Sequence, residues 1–399
     1  MSPVHDVLVV GGGPVGLYLA ALLADTGLDV RVWEKRGSPA RLSRAIGIHA
    51  PALDALARVD AAEAVLAEAV AIRSGIASCG GSTLGEVSFA RAHQRYPFVA
   101  ALPQFRTEAL LADRLHELAP GTLARGVEVT GLVQEHDHVH VVGTTTASSG
   151  GADRADGTEA ADEAAPRTVE VRARVVVAAD GARSVVRDLL GVTAPVTDYP
   201  DTYVMGDFAD TRSEPAALVH LEPDGVVESF PLPGGVRRFV AHTPHPAETT
   251  ASWLAELVVQ RTGYAVDPST VSMLSAFGVR RRFASRTVVG RVVLVGDAAH
   301  EISPIGGQGM NLGWLDAAQL APLLLETVRS GAPDPAGFDR YERTRSASAR
   351  RAARQAETNM ALGRPVHGAR LTARNLALRA TLRSPARSLL ASVYAMRWT

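Results

Sequence analysis

The 399-residue sequence predicts an α/β fold made of a Rossmann-like unit, an inserted antiparallel sheet and a helical C-terminal part. A strand, a glycine-rich turn, a helix and a second strand follow one another at the N-terminus. Short alternating strands occupy residues 198–271, and helical patterns dominate after residue 311. We therefore expect two domains: a discontinuous domain built on the Rossmann-like unit (1–72, 98–190 and 272–399) and an inserted sheet domain (73–97 and 191–271).

The N-terminal unit carries the pattern of a dinucleotide-binding turn. An apolar strand ends before Gly11, Gly13 and Gly16, which have G-x-G-x-x-G spacing, and Glu34 closes the second strand. The first glycine of such a unit permits a tight turn, the second lets the backbone approach a pyrophosphate, and the third lets helix and strand pack closely. The acid accepts hydrogen bonds from ribose hydroxyls. Together these features predict an adenine dinucleotide as the ligand.

A second glycine-rich stretch, VLVGDAAHEISPIGGQGMN, occupies residues 293–311. Its apolar strand ends at Gly296 and Asp297, and Gly306, Gly307 and Gly309 precede an apolar helix. An acid at a strand end and the N–H groups of a helix start could hold a sugar hydroxyl and an anion of one ligand. A nicotinamide dinucleotide has no evident need for this second segment. The arrangement therefore favours FAD, whose ribityl hydroxyls suit Asp297.

A third element, ARVVVAADGARSVVRDLLG, contains a strand followed by Asp180, Gly181 and Arg183. With this segment the sequence resembles the class A flavoprotein monooxygenases, which include the para-hydroxybenzoate hydroxylase-like aromatic hydroxylases. The resemblance is carried, in order, by the G-x-G-x-x-G unit, the DG segment and a GD segment followed by Pro-x-Gly-Gly-Gln-Gly-Met-Asn. It runs from about Asp6 to Ala318 and says more about the cofactor than about the substrate.

The resemblance implies roles for individual residues. The segment LSRAIGIHAPALDAL resembles the family's Ser-Arg-Ala segment and points to Arg44, and LPQFRTEALL points to Gln104, with Arg106 as a further candidate. The implied cofactor-binding residues are Gly11, Gly13, Pro14, Val15, Gly16, Glu34, Lys35, Arg44, Gln104, Asp180, Asp297, Gly307, Gly309, Met310 and Asn311. The implied catalytic residues are Pro304, Gly306, Gly307 and Arg44.

The resemblance implies that the first domain binds FAD and that the inserted sheet binds the substrate. Contacts are expected there at Tyr203, His220 and Arg238, with Arg237 and His242 as unranked alternatives. No metal is expected. Several site residues also have a purely structural interpretation: Arg44 could form a surface salt bridge, Gln104 could order a loop, and Asp180 could cap a helix.

In the family that the sequence resembles, NAD(P)H reduces FAD, oxygen adds at the flavin C4a position, and the hydroperoxide passes a hydroxyl group to an electron-rich ring. The resemblance thus implies a single-component monooxygenase using FAD, NADPH or NADH, O2 and a phenolic or polyketide-like aromatic substrate. The absence of G-x-S-x-G and H-E-x-x-H motifs agrees with chemistry carried by a cofactor. A reductase of the geranylgeranyl-reductase type, without oxygen insertion, is the main alternative, and a flavin-binding protein without catalysis is another.

The composition limits the partners and the cellular compartment that we expect. The formal net charge of -1 provides no overall field to attract nucleic acid. Cys79 is the only cysteine, which excludes an internal disulfide and fits a reducing cytoplasm. Residues 7–24 carry no charge, but glycines and a proline interrupt them, so no transmembrane segment or secretory signal is expected. The sequence leaves open a homodimer, and also whether the Arg-rich C-terminal part contacts a membrane or a partner.

Residues 146–167 are small, acidic and glycine-rich, and strand-like runs flank them. We interpret them as the disordered tip of a hairpin. His136, His138 and His140 precede this tip and would share one strand face. An exposed strand face is favoured there over a metal site.

Overall fold

The computed structural model describes residues 3–39, 44–145, 165–243 and 249–384, together with residues 390, 391, 394 and 396. The described strands are β1 (Val4–Val10), β2 (Val30–Glu34), β3 (Gly47–Ile48), β4 (Val70–Ile72), β5 (Ser74–Cys79), β6 (Ser82–Ser88), β7 (Val99–Ala101), β8 (Leu123–Arg125), β9 (Val127–Gln134), β10 (Val139–Thr145), β11 (Thr168–Ala178), β12 (Val196–Ala209), β13 (Ala217–Glu222), β14 (Gly225–Leu232), β15 (Val236–Thr243), β16 (Met273–Phe283), β17 (Val288–Val289), β18 (Val292–Leu294) and β19 (His300–Glu301). The described helices are α1 (Pro14–Asp25), α2 (Ala50–Leu56), α3 (Ala61–Glu68), α4 (Gln104–Leu118), α5 (Val185–Leu189), α6 (Ala251–Thr262), α7 (Gly309–Ser330), α8 (Pro335–Gly363) and α9 (Gly368–Arg383).

The first sheet has its strands in the order β17-β18-β11-β1-β2-β8. β1 pairs in parallel with β2 and β11, and β11 pairs in parallel with β18. Both faces of β1 are buried, one against helices α1 and α7 and the other against the β9-β10 ribbon. Because the carboxyl ends of parallel strands meet at one edge of a sheet, the segments after β1, β2, β11 and β18 converge. The predicted α/β fold is confirmed.

The second sheet has the order β19-β16-β12-β15-β14-β13-β5-β6 and is antiparallel apart from the β13-β5 pair. Helix α6 packs on one of its faces. β5 and β6 come from the segment 73–97, which the sequence assigned to this sheet. β16 also pairs with β12, so the sheet extends past the predicted boundary at residue 272. The reason is hydrogen bonding: β12 pairs with β15 along one edge and with β16 along the other.

The two strands predicted to flank the acidic segment are present: they are β10 and β11, which pair antiparallel. Residues 146–164, which form nearly all of the predicted disordered tip, lie outside the described residues. His138 lies 2.8 Å from Asp137, and His140 lies 3.1 Å from Glu170, each in an exposed pair. Within the described ranges no group of three or more His, Cys, Asp or Glu side chains could hold a metal ion.

The predicted helical C-terminal part is formed by α7, α8 and α9. α7 packs against the first sheet and α1, and α9 packs on β6 of the second sheet. None of the helices in the described part of the chain is long and apolar enough to cross a membrane.

Candidate functional site

A cavity of about 780 Å³ lies between the carboxyl-end edge of the first sheet and one face of the second sheet. Most of the predicted site residues line it: Gly11, Gly13, Pro14, Val15, Glu34, Lys35, Arg44, Gln104, Asp180, Arg238, Asp297, Pro304, Gly306, Gly307, Gly309 and Met310. The described lining does not include Gly16, Tyr203, His220 or Asn311. The structure therefore brings together three sequence segments that are far apart in the chain.

The three glycines after β1 differ in what surrounds them. Gly11 has a φ of +110°, and a Cβ there would lie 2.3 Å from the Ala179 carbonyl oxygen. A Cβ on Gly16 would lie 2.0 Å from the Gly11 carbonyl oxygen. A Cβ on Gly13 would have no heavy atom within 4 Å. Gly11 and Gly16 are thus required by the turn and its packing, whereas Gly13 leaves space open beside the N-terminus of α1.

Glu34 ends β2 beside this turn and is almost fully buried. Its carboxylate accepts hydrogen bonds from the Gly12 N–H at 2.6 Å and from the Arg36 Nε at 2.8 Å. Burial acts to raise the pKa of Glu34, but the hydrogen bonds and charge of Arg36, with the Gly12 N–H, outweigh it and lower the pKa. The carboxylate is therefore ionised at neutral pH and suited to accept hydroxyl hydrogen bonds.

Asp297 follows β18 after Gly296, whose φ of +58° turns the chain toward the cavity. Its side chain is accessible through the cavity, yet protein atoms surround the position so fully that burial raises the pKa to about 6. The nearby His300 opposes this rise, and Glu301 and Asp316 add to it. No hydrogen bond to the Asp297 carboxyl group is found among the described residues. The group is therefore free to accept hydrogen bonds from a ligand.

Asp180 follows β11 at the same edge. Its Oδ2 accepts a hydrogen bond from the Val186 N–H at 3.2 Å, which supports the helix-capping interpretation. Its Oδ1 is buried and has no partner in the described structure, and burial raises the pKa of the group. Asp297 thus presents unused acceptor atoms to a cavity that runs past Gly13, whereas the unpartnered Oδ1 of Asp180 is enclosed by protein. The carboxyl groups at this edge fit the hydroxyl groups of FAD, and the cationic side chains Lys35, Arg44 and Arg183, which also line the cavity, fit an anionic group such as its pyrophosphate.

The glycine-rich loop before α7 rests on His49. Gly306 and Gly307 have φ values of +102° and +65°, which favour glycine. Burial lowers the pKa of His49 to about 4, although backbone hydrogen bonding with Gly306 and Gly307 acts to raise it, so the imidazole is neutral at pH 7. Asn311 is fully buried and donates to the carbonyl oxygens of Gly47 at 2.9 Å and Gly307 at 2.8 Å. In this structure Asn311 holds the loop and does not line the cavity.

A buried ion-pair cluster supports the turn at Asp297, and the sequence reasoning missed it. The Asp316 carboxylate lies 2.6 Å from the His300 Nε2 and 2.6 Å from the Arg345 Nε. Its Oδ2 also accepts a hydrogen bond from the Gly296 N–H at 3.1 Å. Burial tends to raise the pKa of Asp316, but His300 and Arg345 outweigh it and lower the pKa. A lone acid within the apolar helix sequence MNLGWLDAAQL was the available signal.

Arg44 and Gln104 both line the cavity, and Arg44 reaches the second sheet. The Arg44 guanidinium lies 4.9 Å from the centre of the Phe277 ring on β16. Burial and the charge of Arg280 lower its pKa. Gln104 begins α4, and its Nε2 donates to Glu108 at 2.7 Å. The further candidate Arg106 instead pairs with the Glu68 carboxylate, outside the described lining of the cavity.

The predicted substrate contacts on the second sheet have different positions. Residues 217, 219 and 221 of β13 line the cavity, so His220 points to the opposite face, where its Nδ1 lies 2.9 Å from the Ser78 Oγ. This placement conflicts with the expected substrate contact of His220, because alternate residues of a strand face opposite sides. Tyr203 stacks on Phe277 beneath the lining. Arg238 does line the cavity, but Asp207 holds it at 2.6 and 2.7 Å.

The two alternative substrate-contact candidates, Arg237 and His242, also contact carboxylates within the protein. Arg237 is fully buried and lies 3.0 Å from the Asp210 carboxylate. His242 is 3.3 Å from the Asp201 carboxylate. Burial lowers the pKa of His242 in spite of Asp201. Neither side chain is part of the described cavity lining.

The sheet wall of the cavity is instead largely apolar. Val219, Val226, Phe230 and Val240 line it, and Glu228 lies among them. The sequence reasoning did not identify Glu228, although its place in the alternating strand GVVESFPL between Val226 and Phe230 was a signal. The cavity thus combines a polar end at the first sheet with an apolar end at the second.

Comparison with protein families places this architecture among flavoproteins. The family described as "FAD binding domain" matches residues 4–356. A rifampicin monooxygenase from Streptomyces venezuelae is 37% identical over 339 residues, which cover 82% of this chain and 66% of that protein. The chain therefore spans slightly less than two thirds of the length of this curated relative.

Two solved structures have the same fold. The anhydrotetracycline hydroxylase OxyS from Streptomyces rimosus has a TM-score of 0.78 and 30% identity, over 99% of this chain and 76% of that one. The p-nitrophenol 4-monooxygenase PnpA from Pseudomonas putida has a TM-score of 0.86 over 100% of this chain and 98% of that one. Its identity is 24%, so this second likeness shows the fold alone.

Proposed function

This chain belongs to the FAD-binding-domain family of flavoproteins, and from that premise we propose that it is a single-component monooxygenase that hydroxylates an aromatic compound at the expense of NADPH or NADH. One observation carries the proposal: a single cavity joins the cofactor-type features of the first sheet to the apolar face of the second sheet. Such a cavity allows a flavin and an apolar ring to lie side by side. Bound FAD would supply the redox chemistry, taking electrons from NAD(P)H and activating O2.

At the polar end, the residues of this chain would bind and orient the cofactor. The open space at Gly13 lets the pyrophosphate approach the N-terminus of α1, where N–H groups favour an anion. The ionised Glu34 would accept hydrogen bonds from the ribose hydroxyls, and Asp297 from the ribityl chain. Asp180 lines the same edge and caps α5 through the Val186 N–H.

At the flavin end, the glycine loop would place backbone N–H groups against the ring. Pro304, Gly306 and Gly307 line the cavity there, and α7 begins at Gly309. Fixed N–H groups stabilise negative charge that develops on a ring without needing to reorganise. Arg44 adds positive charge between the loop and the second sheet.

The apolar wall favours an aromatic substrate and excludes water from the reacting atoms. The relatives act, by their names, on rifampicin, anhydrotetracycline and p-nitrophenol. We infer that this chain takes a phenolic or polyketide-like compound of the same broad class.

The proposed function is tested by measuring how much NAD(P)H and O2 the reaction consumes and how much hydrogen peroxide it releases. Hydroxylation converts one aromatic substrate, one NAD(P)H, one O2 and one proton into the hydroxylated product, NAD(P)+ and water. Protein loaded with FAD should therefore consume O2 and NAD(P)H in equal amounts with little hydrogen peroxide when a substrate from a phenolic and polycyclic library is present. A reductase of the geranylgeranyl type would oxidise NAD(P)H and reduce its substrate without consuming O2. The absence of any substrate-dependent oxidation of NAD(P)H would overturn both interpretations.

Some finer expectations stay predictions. Cys79 is free and buried, which is compatible with the expected reducing cytoplasm. A homodimer and the choice between NADPH and NADH likewise remain to be measured. The division into the two predicted domains is a prediction of the same kind.

A further inference from the structure

Glu228 is the one polar residue in a patch of five neighbouring positions on the sheet wall. Val226 and Phe230 lie on either side of it along β14 and also line the cavity. Across the sheet, its register partners are Val219 on β13 and Val240 on β15, which line the cavity as well. A carboxyl group at this position therefore projects into an apolar surface.

The Glu228 carboxyl group has no hydrogen-bond or ion-pair partner among the described residues. The nearby Arg238 is held by Asp207 and by the Arg44 carbonyl oxygen, so its charge is already compensated. Burial raises the pKa of Glu228 to about 7. A carboxyl group left without a partner in such a place costs stability unless a ligand supplies a donor.

Two tyrosines are the other titratable groups that interact with Glu228. Tyr394 lines the cavity and donates to the Asn359 Oδ1 at 3.0 Å. Burial, together with the charge of Glu228, raises the pKa of Tyr394 to about 12. The same two causes raise the pKa of Tyr203. Both tyrosines are therefore neutral near pH 7, so neither adds negative charge beside Glu228, and a phenol has no cationic form that could compensate it.

We propose that Glu228 binds a phenolic hydroxyl group of the aromatic substrate and so fixes which edge of the ring faces the flavin end. This inference rests on the proposed function. The ring would pack on Val226, Phe230 and Val240, and its hydroxyl group would donate to the otherwise unpaired carboxylate. A hydrogen bond from a phenol to a carboxylate also raises the electron density of the ring, which hydroxylation requires.

The test compares a phenol with its methyl ether, because the ether has the same ring but no donor. Equilibrium dialysis of the oxidised, FAD-loaded protein with 2-naphthol and with 2-methoxynaphthalene measures binding without any turnover. A charge-assisted hydrogen bond corresponds to a preference of roughly 10- to 100-fold for the naphthol. Glu228→Gln keeps a neutral acceptor and should retain a preference of only a few-fold. Glu228→Leu should bind both compounds equally.

Glu86→Gln is the matched control, since Glu86 is an exposed residue of β6 outside the described cavity lining. It should keep the preference of the original protein. Bound FAD and the melting temperature report folding, and neither Glu228 variant should lower them, since an unpaired buried carboxyl group is removed.

The proposal is wrong if the original protein binds the naphthol no better than the ether, or if Glu228→Gln and Glu228→Leu keep the full preference. Tighter binding of 2-naphthylmethylamine than of 2-naphthol would also overturn it, in favour of a cationic ligand. Because binding is read without turnover, a protein that prefers the naphthol but never oxygenates it would refute the proposed function and leave this inference standing.

Discussion

Replacing Gly13 by alanine should weaken FAD binding while leaving the fold intact. The backbone at this position has a φ of -78° and a ψ of -178°, an extended conformation that alanine adopts without strain. A methyl group there meets no protein atom within 4 Å, so it would extend into the space beside the N-terminus of α1. That space is where we place the pyrophosphate.

The magnitude follows from what the methyl group displaces. Loss of one hydrogen bond between a backbone N–H and a charged phosphate costs about 1.5–3 kcal/mol, or roughly 12- to 160-fold in the dissociation constant. Stability of the apoprotein should change by less than about 1 kcal/mol, because the poorer helix cap and the reduced entropy of the unfolded chain oppose each other. The effect on FAD therefore exceeds the effect on folding.

The assay is a fluorescence titration of the apoprotein with FAD, paired with urea denaturation in the absence of FAD. Gly16→Ala is the matched control, because its Cβ would lie 2.0 Å from the Gly11 carbonyl oxygen. That variant should lose about 1–3 kcal/mol of apoprotein stability or more. Wild-type FAD affinity in Gly13→Ala would refute the placement of the pyrophosphate, and wild-type stability in Gly16→Ala would refute the packing argument.

The remaining predictions concern the segment around Asp297. Asp297→Ala should yield weakly flavinated protein, and a fully FAD-loaded variant would remove this residue from the cofactor site. Burial raises the pKa of Asp297 to about 6, so the folded apoprotein binds the carboxyl proton more tightly than the unfolded chain does. The stability that this bound proton contributes is lost as the pH rises through 6. The melting temperature of apo Asp297→Asn relative to the original protein should therefore increase between about pH 4 and 7, and parallel pH profiles would contradict this. Arg345→Met should cost about 3–5 kcal/mol in urea denaturation, because it leaves Asp316 buried with one partner fewer; a loss below about 1 kcal/mol would show that the pair is dispensable.

Local patterns made much of the cofactor end predictable. Gly11, Gly16 and Glu34 lie within one strand-helix-strand unit, where spacing along the chain determines spacing in the fold. Asp297 was identifiable because it follows a short buried strand, and parallel strands bring such ends to one edge. These four residues could be assigned from the local sequence and the order of the strands in the sheet alone.

The substrate end was less predictable, since it depends on the face and the register of antiparallel strands. His220 was chosen for its chemistry, but the register of β13 turns it away from the cavity. Arg238 faces the cavity, but Asp207, a distant residue on β12, holds its guanidinium. The sequence placed Glu228 between two apolar residues of its strand, but only the structure shows that this face lines the cavity and that Val219 and Val240 flank the carboxyl group across the sheet. The cluster around Asp316 likewise joins residues whose pairing depends on how α7 and α8 pack.

The most direct test of the account is the source of the oxygen atom in the product. FAD-loaded protein, NADPH or NADH and 18O2 would be incubated with the phenolic and polycyclic library, and the products analysed by mass spectrometry. The account predicts a hydroxylated aromatic product that carries one 18O atom from O2. A product that carries only oxygen from water, or a reduced product without added oxygen, would contradict it.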